Sequence, residues 1–367
     1  MLRSIDYEGY RSFSHYSLAH LSRVNLLVGR NSCGKTSLLE GVQLLASGGD
    51  PGVLIDIARR RGEMAPAREH TDRYRQVSYP VLSHVFHGHD VSQGAHFRLV
   101  ADRMRHGESI KVEVVRSQRQ AGLFDDRDAL PSMLTIRIKG GTHPLAEQGI
   151  PVTEQGLLAV SARRVMASMR ADQESLASVQ FIAPDSLEPR SMSDMWNRVI
   201  MEGREGEATE ALRILEPGVS GVVFLSGQPP YSYAAQGGIV ISLQGSKRRL
   251  PIGSLGDGMR RVLALSLGLM QCQRGVLLVD EIDTGLHYSI MADMWRLIVE
   301  TALRLDVQVF ASTHSLDCLK GLAWLCTSLP VLAREVTVQK IDPDRSEAVA
   351  LDAERVVMAV ERGLEMR

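Results

Sequence analysis

Apolar positions fall along this chain in two distinct textures. Largely apolar runs, VNLLV at Val24–Val28, VQFIA at Val179–Ala183, VLLV at Val276–Val279 and VQVFA at Val307–Ala311, read as strands. The last two have the continuous character of strands buried on both faces of a parallel sheet. From His96 to Leu145 the segments AHFRLVA, SIKVEVVRS and MLTIRIKG alternate apolar with polar residues. That alternation predicts an antiparallel meander with one face in solvent. Helical spacing predicts helices over Ser37–Ala46, Met192–Leu215, Val262–Cys272, Ile290–Leu303, Leu316–Leu325 and Ala353–Leu364. Short strands are expected at Leu2–Tyr7 and Leu18–Leu21 around a polar turn, YRSFSH, and at Gly221–Leu225, Ile239–Leu243 and Arg249–Ile252. A hairpin is expected from Val336–Ile341 and Ala348–Leu351. SGGDPG at Ser47–Gly52 ends the first long helix, because Gly and Pro cannot continue it. The stretch Pro151–Ala171 is mixed, and no internal repeat or long charged heptad tract is present, so a coiled-coil arm is not expected. The class is α/β.

Composition narrows the partners. At 367 residues the chain can bury a large core as one large domain or two lobes, and 44% hydrophobic with 23% charged residues is ordinary for a soluble protein. Lys and Arg number 42 against 43 Asp and Glu, so any nucleic-acid contact would need a local basic face and not a global field. Arg59, Arg60, Arg61 and Arg68, with Lys247, Arg248 and Arg249, are the candidates for such a face; the arginine run, with further basic residues at Arg73 and Arg75, otherwise reads as a solvated helix face, the usual role of such runs. The four cysteines, Cys33, Cys272, Cys318 and Cys326, form no C-x-x-C pair, which fits a reducing compartment. No apolar run reaches the ~18 residues of a membrane helix and no signal peptide opens the chain. A cytoplasmic protein without a membrane partner is expected.

The chemistry gathers at four places. Gly29, Arg30, Asn31, Ser32, Cys33, Gly34, Lys35 and Thr36 match G-x-x-x-x-G-K-[ST] between a strand and a helix that continues through Ser37. In that order glycine-rich backbone converges N–H groups on phosphate, Lys35 reaches the β- and γ-phosphates, and Thr36 offers a hydroxyl to Mg²⁺. The strand Val276–Val279 ends in Asp280 and Glu281, at the carboxyl edge where open α/β sheets bind ligands. Asp280 is placed to hold the Mg²⁺ shell, and Glu281 to orient and deprotonate water. The strand Val307–Ala311 ends in Ser312, Thr313, His314 and Ser315; His314 could donate to a γ-phosphate, or be a satisfied core histidine. Fourth, GSLGDGMRR, Gly253–Arg261, precedes a helical run, as an anion-binding turn or a plain helix start. Two weaker clusters have structural readings beside the metal one: His84, His87, His89 and Asp90 suit a surface turn, and Asp342 and Asp344 a turn between strands.

This ordered set resembles the P-loop NTPases of the ABC type in SMC, RecF and OLD-like proteins, and among them the stand-alone AAA family proteins with an OLD-like head and no nuclease domain. The resemblance runs from Leu2 to about Leu325 and is strongest in the three strand-end motifs. It implies a single head over residues 1–367 with a mixed sheet core, an antiparallel β meander and a helical signature lobe. Its parts would be an N-terminal lobe over 1–100, a β-rich and helical insertion over 101–250, and the signature, acid strand, histidine strand and terminal hairpin and helix over 251–367. It also implies ATP and Mg²⁺ as cofactors and a homodimer sandwiching ATP, each loop facing the partner's signature. Carried over by motif position, Glu281 is the base, His314 the γ-phosphate sensor, and Asp280 and Thr36 the Mg²⁺ contacts. Arg11 and Phe13, in a turn similar to R-x-F, would line the nucleotide pocket. Gly256 and Gly258 fall on the signature when LGDGM is aligned to L-S-G-G-[QE], and the serine hydroxyl is then missing unless Ser254 supplies it. Neither Gln76 nor Gln93 settles as the glutamine such heads keep near the metal.

The function implied is an ATP-hydrolysing switch coupled to DNA or to an effector protein encoded nearby, in antiviral defence. A scaffold or repair clamp that holds ATP with little turnover is the alternative. An OLD-like nuclease is disfavoured because about 50 residues follow His314, fewer than a typical catalytic domain. A GTPase is disfavoured by the lack of N-K-x-D.

Overall fold

The structure is a computed structural model, describing residues 1–68, 76–103, 108–116, 134–142, 149–158, 179–185, 187, 189–225 and 238–364. Arg73, Arg75, most of Pro151–Ala171 and the side chains of Arg68 and Gln76 lie outside the described residues. Two compact units form: Met1–Ala19 with Glu40–Ala177 and Pro343–Ala348, and His20–Leu39 with Ser178–Asp342 and Val349–Arg367. The strands are β1 (Leu2–Tyr10), β2 (Phe13–Leu18), β3 (Val24–Val28), β4 (Met64–Arg68), β5 (Gln76–Pro80), β6 (His96–Arg103), β7 (Glu108–Arg116), β8 (Leu134–Lys139), β9 (Ile150–Val152), β10 (Val179–Ile182), β11 (Val219–Phe224), β12 (Ile239–Leu243), β13 (Leu250–Pro251), β14 (Val276–Val279), β15 (Gln308–Thr313), β16 (Val336–Lys340) and β17 (Val349–Leu351). The helices are α1 (Lys35–Ala46), α2 (Pro51–Arg60), α3 (Pro189–Met201), α4 (Glu205–Leu212), α5 (Asp257–Gln271), α6 (Met291–Leu305), α7 (Leu316–Ser328), α8 (Pro330–Ala333) and α9 (Ala353–Glu361). The boundary between units falls inside α1.

The first unit is built on an antiparallel sheet in the order β2-β1-β6-β7-β8-β9, beside the β4-β5 hairpin. The alternating segments become β6, β7 and β8, and in β8 buried and solvent-facing positions alternate as Leu134, Ile136 and Ile138 turn inward. The polar stretch YRSFSH is largely strand and not turn. Only Arg11 and Ser12 turn the chain, Tyr10 pairs with Phe13, and the polar residues of β2 lie on its exposed positions while Phe13, Tyr16 and Leu18 are buried. Tyr10, Phe86 and Phe97 pack with ring centroids about 5 Å apart, Tyr10 to Phe97 at 5.0 Å and Phe86 to Phe97 at 5.4 Å.

The second unit carries the sheet β10-β14-β15-β3-β16-β17, parallel from β10 through β16 and closed by antiparallel β17. β3, β14 and β15 are buried along their whole length, because helices cover both faces of a parallel sheet. Each fully buried aliphatic side chain contributes about 1.5–3 kcal/mol. Trp295 of α6 is fully buried and donates its indole N–H to the Cys318 carbonyl of α7 at 3.0 Å, satisfying its polar edge. The antiparallel sheet β11-β12-β13 lies in the same unit, with Trp196 of α3 stacked on Phe224 of β11.

Met192–Leu215 is two helices, not one. Gly203, at φ +66°, stops α3; its N–H donates to the Ile200 carbonyl and that of Arg204 to the Val199 carbonyl, the double bond of a left-handed helix stop. Periodicity continues across the break because both helices bury the same kind of face. Likewise α5 begins at Asp257, ahead of the apolar run that predicts it, and β13 covers only Leu250–Pro251 before a 3₁₀ turn.

Candidate nucleotide site

In the second unit the strand order puts β15 between β14 and β3, with Ala311 opposite both Val279 and Leu26. The chain segments leaving β14, β15 and β3 therefore emerge side by side at one carboxyl edge. Three motifs far apart in sequence meet there. The segment from Gly29 to Gly34 bridges β3 and α1 with Gly29 at φ +154°, Ser32 at +62° and Gly34 at +96°. A side chain at Gly29 would place its Cβ 2.7 Å from the Ile341 carbonyl oxygen and 2.8 Å from Cys33 Sγ, so only glycine lets the loop fold back this closely. Arg30, Asn31 and Ser32 are exposed, whereas Cys33, Lys35 and Ser37 are buried. Lys35 Nζ donates to the carbonyls of Gly29 at 2.7 Å and Arg30 at 2.8 Å, which centres its charge in the curl of the loop.

Thr36 donates its hydroxyl to Asp280 Oδ2 at 2.8 Å. The other Asp280 oxygen accepts from Ser312 Oγ, and that same hydroxyl oxygen accepts the Glu281 N–H at 2.9 Å. Asp280 is buried. A hydroxyl and a carboxylate side by side are hard oxygen donors of the kind Mg²⁺ takes, and the loop curled about Lys35 has the geometry of a phosphate cradle. The residues present thus fit a Mg²⁺–nucleotide.

Glu281 holds φ +47°, a left-handed backbone that is uncommon for a residue with a side chain. The turn sets the Glu281 carboxylate 3.6 Å from His314 Nδ1, and both side chains reach solvent, at 39% and 48% exposure. Thr313 donates to Asp283 Oδ1 at 2.6 Å, pinning the end of β15 to the loop after β14. The GSLGDGM region forms a 3₁₀ turn, Ile252–Leu255, then Gly256 at φ +93° as the cap of α5, with Gly258 in the first helical turn.

Two placements were not legible from motifs. Arg261 of α5 is 1% exposed and donates to the carbonyls of Ala183 at 2.6 Å, Asp280 at 2.8 Å and Glu281 at 2.7 Å. Burial pushes its guanidinium down to about 10, against the opposing pull of Asp283, Asp280, Glu281 and Asp185. It therefore stays cationic at neutral pH. Ser312 is the other, fully buried between Asp280 and Glu281. Within S-T-H-S nothing local distinguishes its hydroxyl from those of Thr313 and Ser315.

Arg11 and Phe13 belong to the first unit. The Arg11 guanidinium is buried, bidentate on Glu63 at 2.8 and 3.2 Å, and its Nε lies 2.9 Å from Glu40 of α1. Burial opposes that charge, but the bonds to Glu63 and the field of Glu40 outweigh it and hold the group above its ordinary value. Phe13 packs on Tyr16 with ring centroids 4.7 Å apart. Gln93, also in the first unit, is exposed. His87 donates from Nδ1 to the Arg11 carbonyl, 2.8 Å away, and His84 meets His89 at 3.1 Å; among the described residues no group of three or more His, Cys, Asp or Glu could hold a metal. Asp342 and Asp344 bracket a turn between β16 and β17. No helix among the described residues is long and apolar enough to cross a membrane.

A phosphate loop, an acid strand and a histidine strand on one parallel sheet, with a glycine turn capping α5, give the chain a P-loop NTPase fold of the ABC/SMC-head type. The chain belongs to the AAA_21 family, described as "AAA domain, putative AbiEii toxin, Type IV TA system", whose model matches residues 24–317. Among solved structures it is similar to an SMC head bound to the C-winged helix domain of ScpA, at 13% identity and TM-score 0.52, covering 96% of this chain and 98% of that one. It also matches an SMC head with an extended coiled coil bound to the C-terminal domain of ScpA, from Pyrococcus furiosus, at 10% identity and TM-score 0.48, covering 99% of each. An SMC head domain from Thermotoga maritima matches at 14% identity and TM-score 0.42, covering 96% and 98%. The first likeness supports the fold alone. No curated protein sequence matches the chain.

Proposed function

We propose that this protein is an ATP-hydrolysing switch that dimerises around ATP and is coupled to DNA or to an effector protein encoded nearby, in antiviral defence. The observation that carries it is the Thr36–Asp280–Ser312–Glu281 chain of hydrogen bonds, which links the phosphate loop to the acid pair. In this reading the loop from Gly29 to Ser37 binds the phosphates, with Lys35 at the β- and γ-positions. Thr36 and Asp280 hold Mg²⁺, which when bound shields the phosphate charge. Glu281 takes a proton from water, and His314, at its side, donates to the γ-phosphate. Gly256 and Gly258 face the nucleotide of a second copy. By the resemblance of their turn to R-x-F, Arg11 and Phe13 are assigned to the nucleotide. The toxin–antitoxin wording of the family supports a defence setting, and an adjacent nuclease or toxin gene would identify the effector.

Turnover and mass test this on the unaltered protein. Mg²⁺-dependent ATP hydrolysis is expected, lost with chelator, with a rate per protomer that climbs with protein concentration as the dimer forms. A second reading, ATP as glue in a scaffold or repair clamp with little turnover, draws on Gly256 at the signature's serine position; ATP-linked mass without hydrolysis would select it.

Among the described residues, coupling to DNA can draw on the exposed Lys247, Arg248 and Arg249 and on the exposed Arg59, Arg60 and Arg61. Arg59, Arg60 and Arg61 also engage Asp56 at 3.5 Å, Gln43 at 2.6 Å and Glu40 at 2.7 Å. Changing Lys247, Arg248 and Arg249 to Ala should weaken duplex binding across sequences and lower the salt slope by about 1 per lost phosphate contact. Binding that ignores both salt and these substitutions would discard the basic set.

A further inference from the structure

We infer that Arg261 is a positioning residue through which the Gly256–Gly258 turn governs the backbone of Glu281, an inference that rests on the proposed dimer sandwich. A guanidinium in the interior is tolerated only when its N–H groups are spent. Arg261 spends them on the carbonyls of Ala183, Asp280 and Glu281, at the ends of β10 and β14, and its Nε reaches the Ile282 carbonyl at 3.5 Å. From the opposite side, Ser312 Oγ takes the Glu281 N–H and the Ser312 carbonyl takes that of Ile282, at 3.0 Å. The peptide groups flanking Glu281 are thus gripped from β15 on one side and α5 on the other. That grip is needed, since a left-handed residue bearing a side chain persists only where its surroundings over-determine it.

Arg261 lies on the same continuous helix that Gly256 caps. A shift of the cap carries Arg261 with it, because a helix moves as a rigid element. The turn has a second strut on the same loop: the Gly258 Cα sits where a Cβ would come 3.0 Å from the Gly285 carbonyl oxygen. A phosphate from a second copy docking on the cap would therefore be felt at Glu281 through backbone already in contact. Hydrolysis would then respond to dimerisation without any side chain from the second copy reaching the water.

Arg261→Lys keeps the charge but offers a single nitrogen to four carbonyls, and Arg261→Gln removes the charge while keeping a donor. In whichever melts like the parent, ATP affinity and ATP-linked mass should be retained while kcat falls about 100-fold, as for a small misplacement of a reacting group. Unchanged kcat overturns the inference, and so does a parallel loss of affinity, mass and melting temperature, which marks a merely structural residue. Amide exchange supplies a test that needs no substitution at Arg261. With ATP, the Glu281 and Ile282 amides should exchange more slowly in the parent than in Ser254→Glu, which should bind ATP without pairing. Equal exchange in the two, with the parent dimeric, overturns the relay. A parent whose mass ignores ATP instead removes the sandwich, and the relay with it.

Discussion

Lys35→Ala is expected to weaken ATP binding by at least about 100-fold, about 3 kcal/mol, the scale of charge-assisted hydrogen bonds lost from a phosphate. Hydrolysis should disappear with it. Lys35 is 8% exposed and its ammonium lies on the carbonyls of Gly29 and Arg30, so phosphate oxygens would compete with acceptors of the loop itself. Truncation also removes those two internal bonds. Arg30 is exposed, so water can replace the ammonium at its carbonyl, and the stability cost should be about 1 kcal/mol. For a chain of this size that is a melting shift of about 1–2 °C. Calorimetry separates the two effects: lost heat of binding with a near-parental melt supports the site, and parental affinity removes it.

The three motifs at the sheet edge were legible because each couples a buried strand to chemistry at its end. Continuous apolar runs specify β3, β14 and β15, and parallel pairing then leaves their carboxyl ends no choice but to cluster. The meander was legible through alternation. The β2 strand was not, since its exposed Ser14 and His15 mimic turn composition when the two buried rings beside them are unseen. Nor was the break at Gly203, because a helix pair with one shared inner face keeps the same period across a stop. Arg261 was hidden for a different reason. A buried cation looks like any charge beside a glycine turn, and its role appears only when the carbonyls it serves, separated in sequence, are brought to it. Arg11 shows the reverse: motif position assigns it to nucleotide, while folding surrounds it with Glu40 and Glu63, partners that no local pattern announces.

Glu281→Gln should bind ATP and fail to hydrolyse it, slowing turnover about 10²- to 10⁴-fold, the range contributed by a positioned base. The amide keeps the size and hydrogen-bonding reach of the carboxylate and loses only the proton acceptor. Its backbone bonds to Ser312 and Arg261 involve main-chain atoms, so they survive the change. The ATP-bound state should then accumulate, and if a second copy closes on it the mass should double with ATP. The control must break pairing without disturbing the loop. Gly258→Asp fails that requirement, since its Cβ would lie 3.0 Å from the Gly285 carbonyl oxygen and 3.3 Å from Leu286 Cδ2. Ser254 is exposed and has no left-handed backbone, so Ser254→Glu in the Glu281→Gln background places a carboxylate where the partner's γ-phosphate is assigned and should keep the protein monomeric by repulsion. Light scattering and turnover on the pair decide the matter. Parental turnover in Glu281→Gln removes the base, a mass indifferent to ATP removes the sandwich, and an ATP-linked dimer that survives Ser254→Glu moves the contact away from the cap of α5.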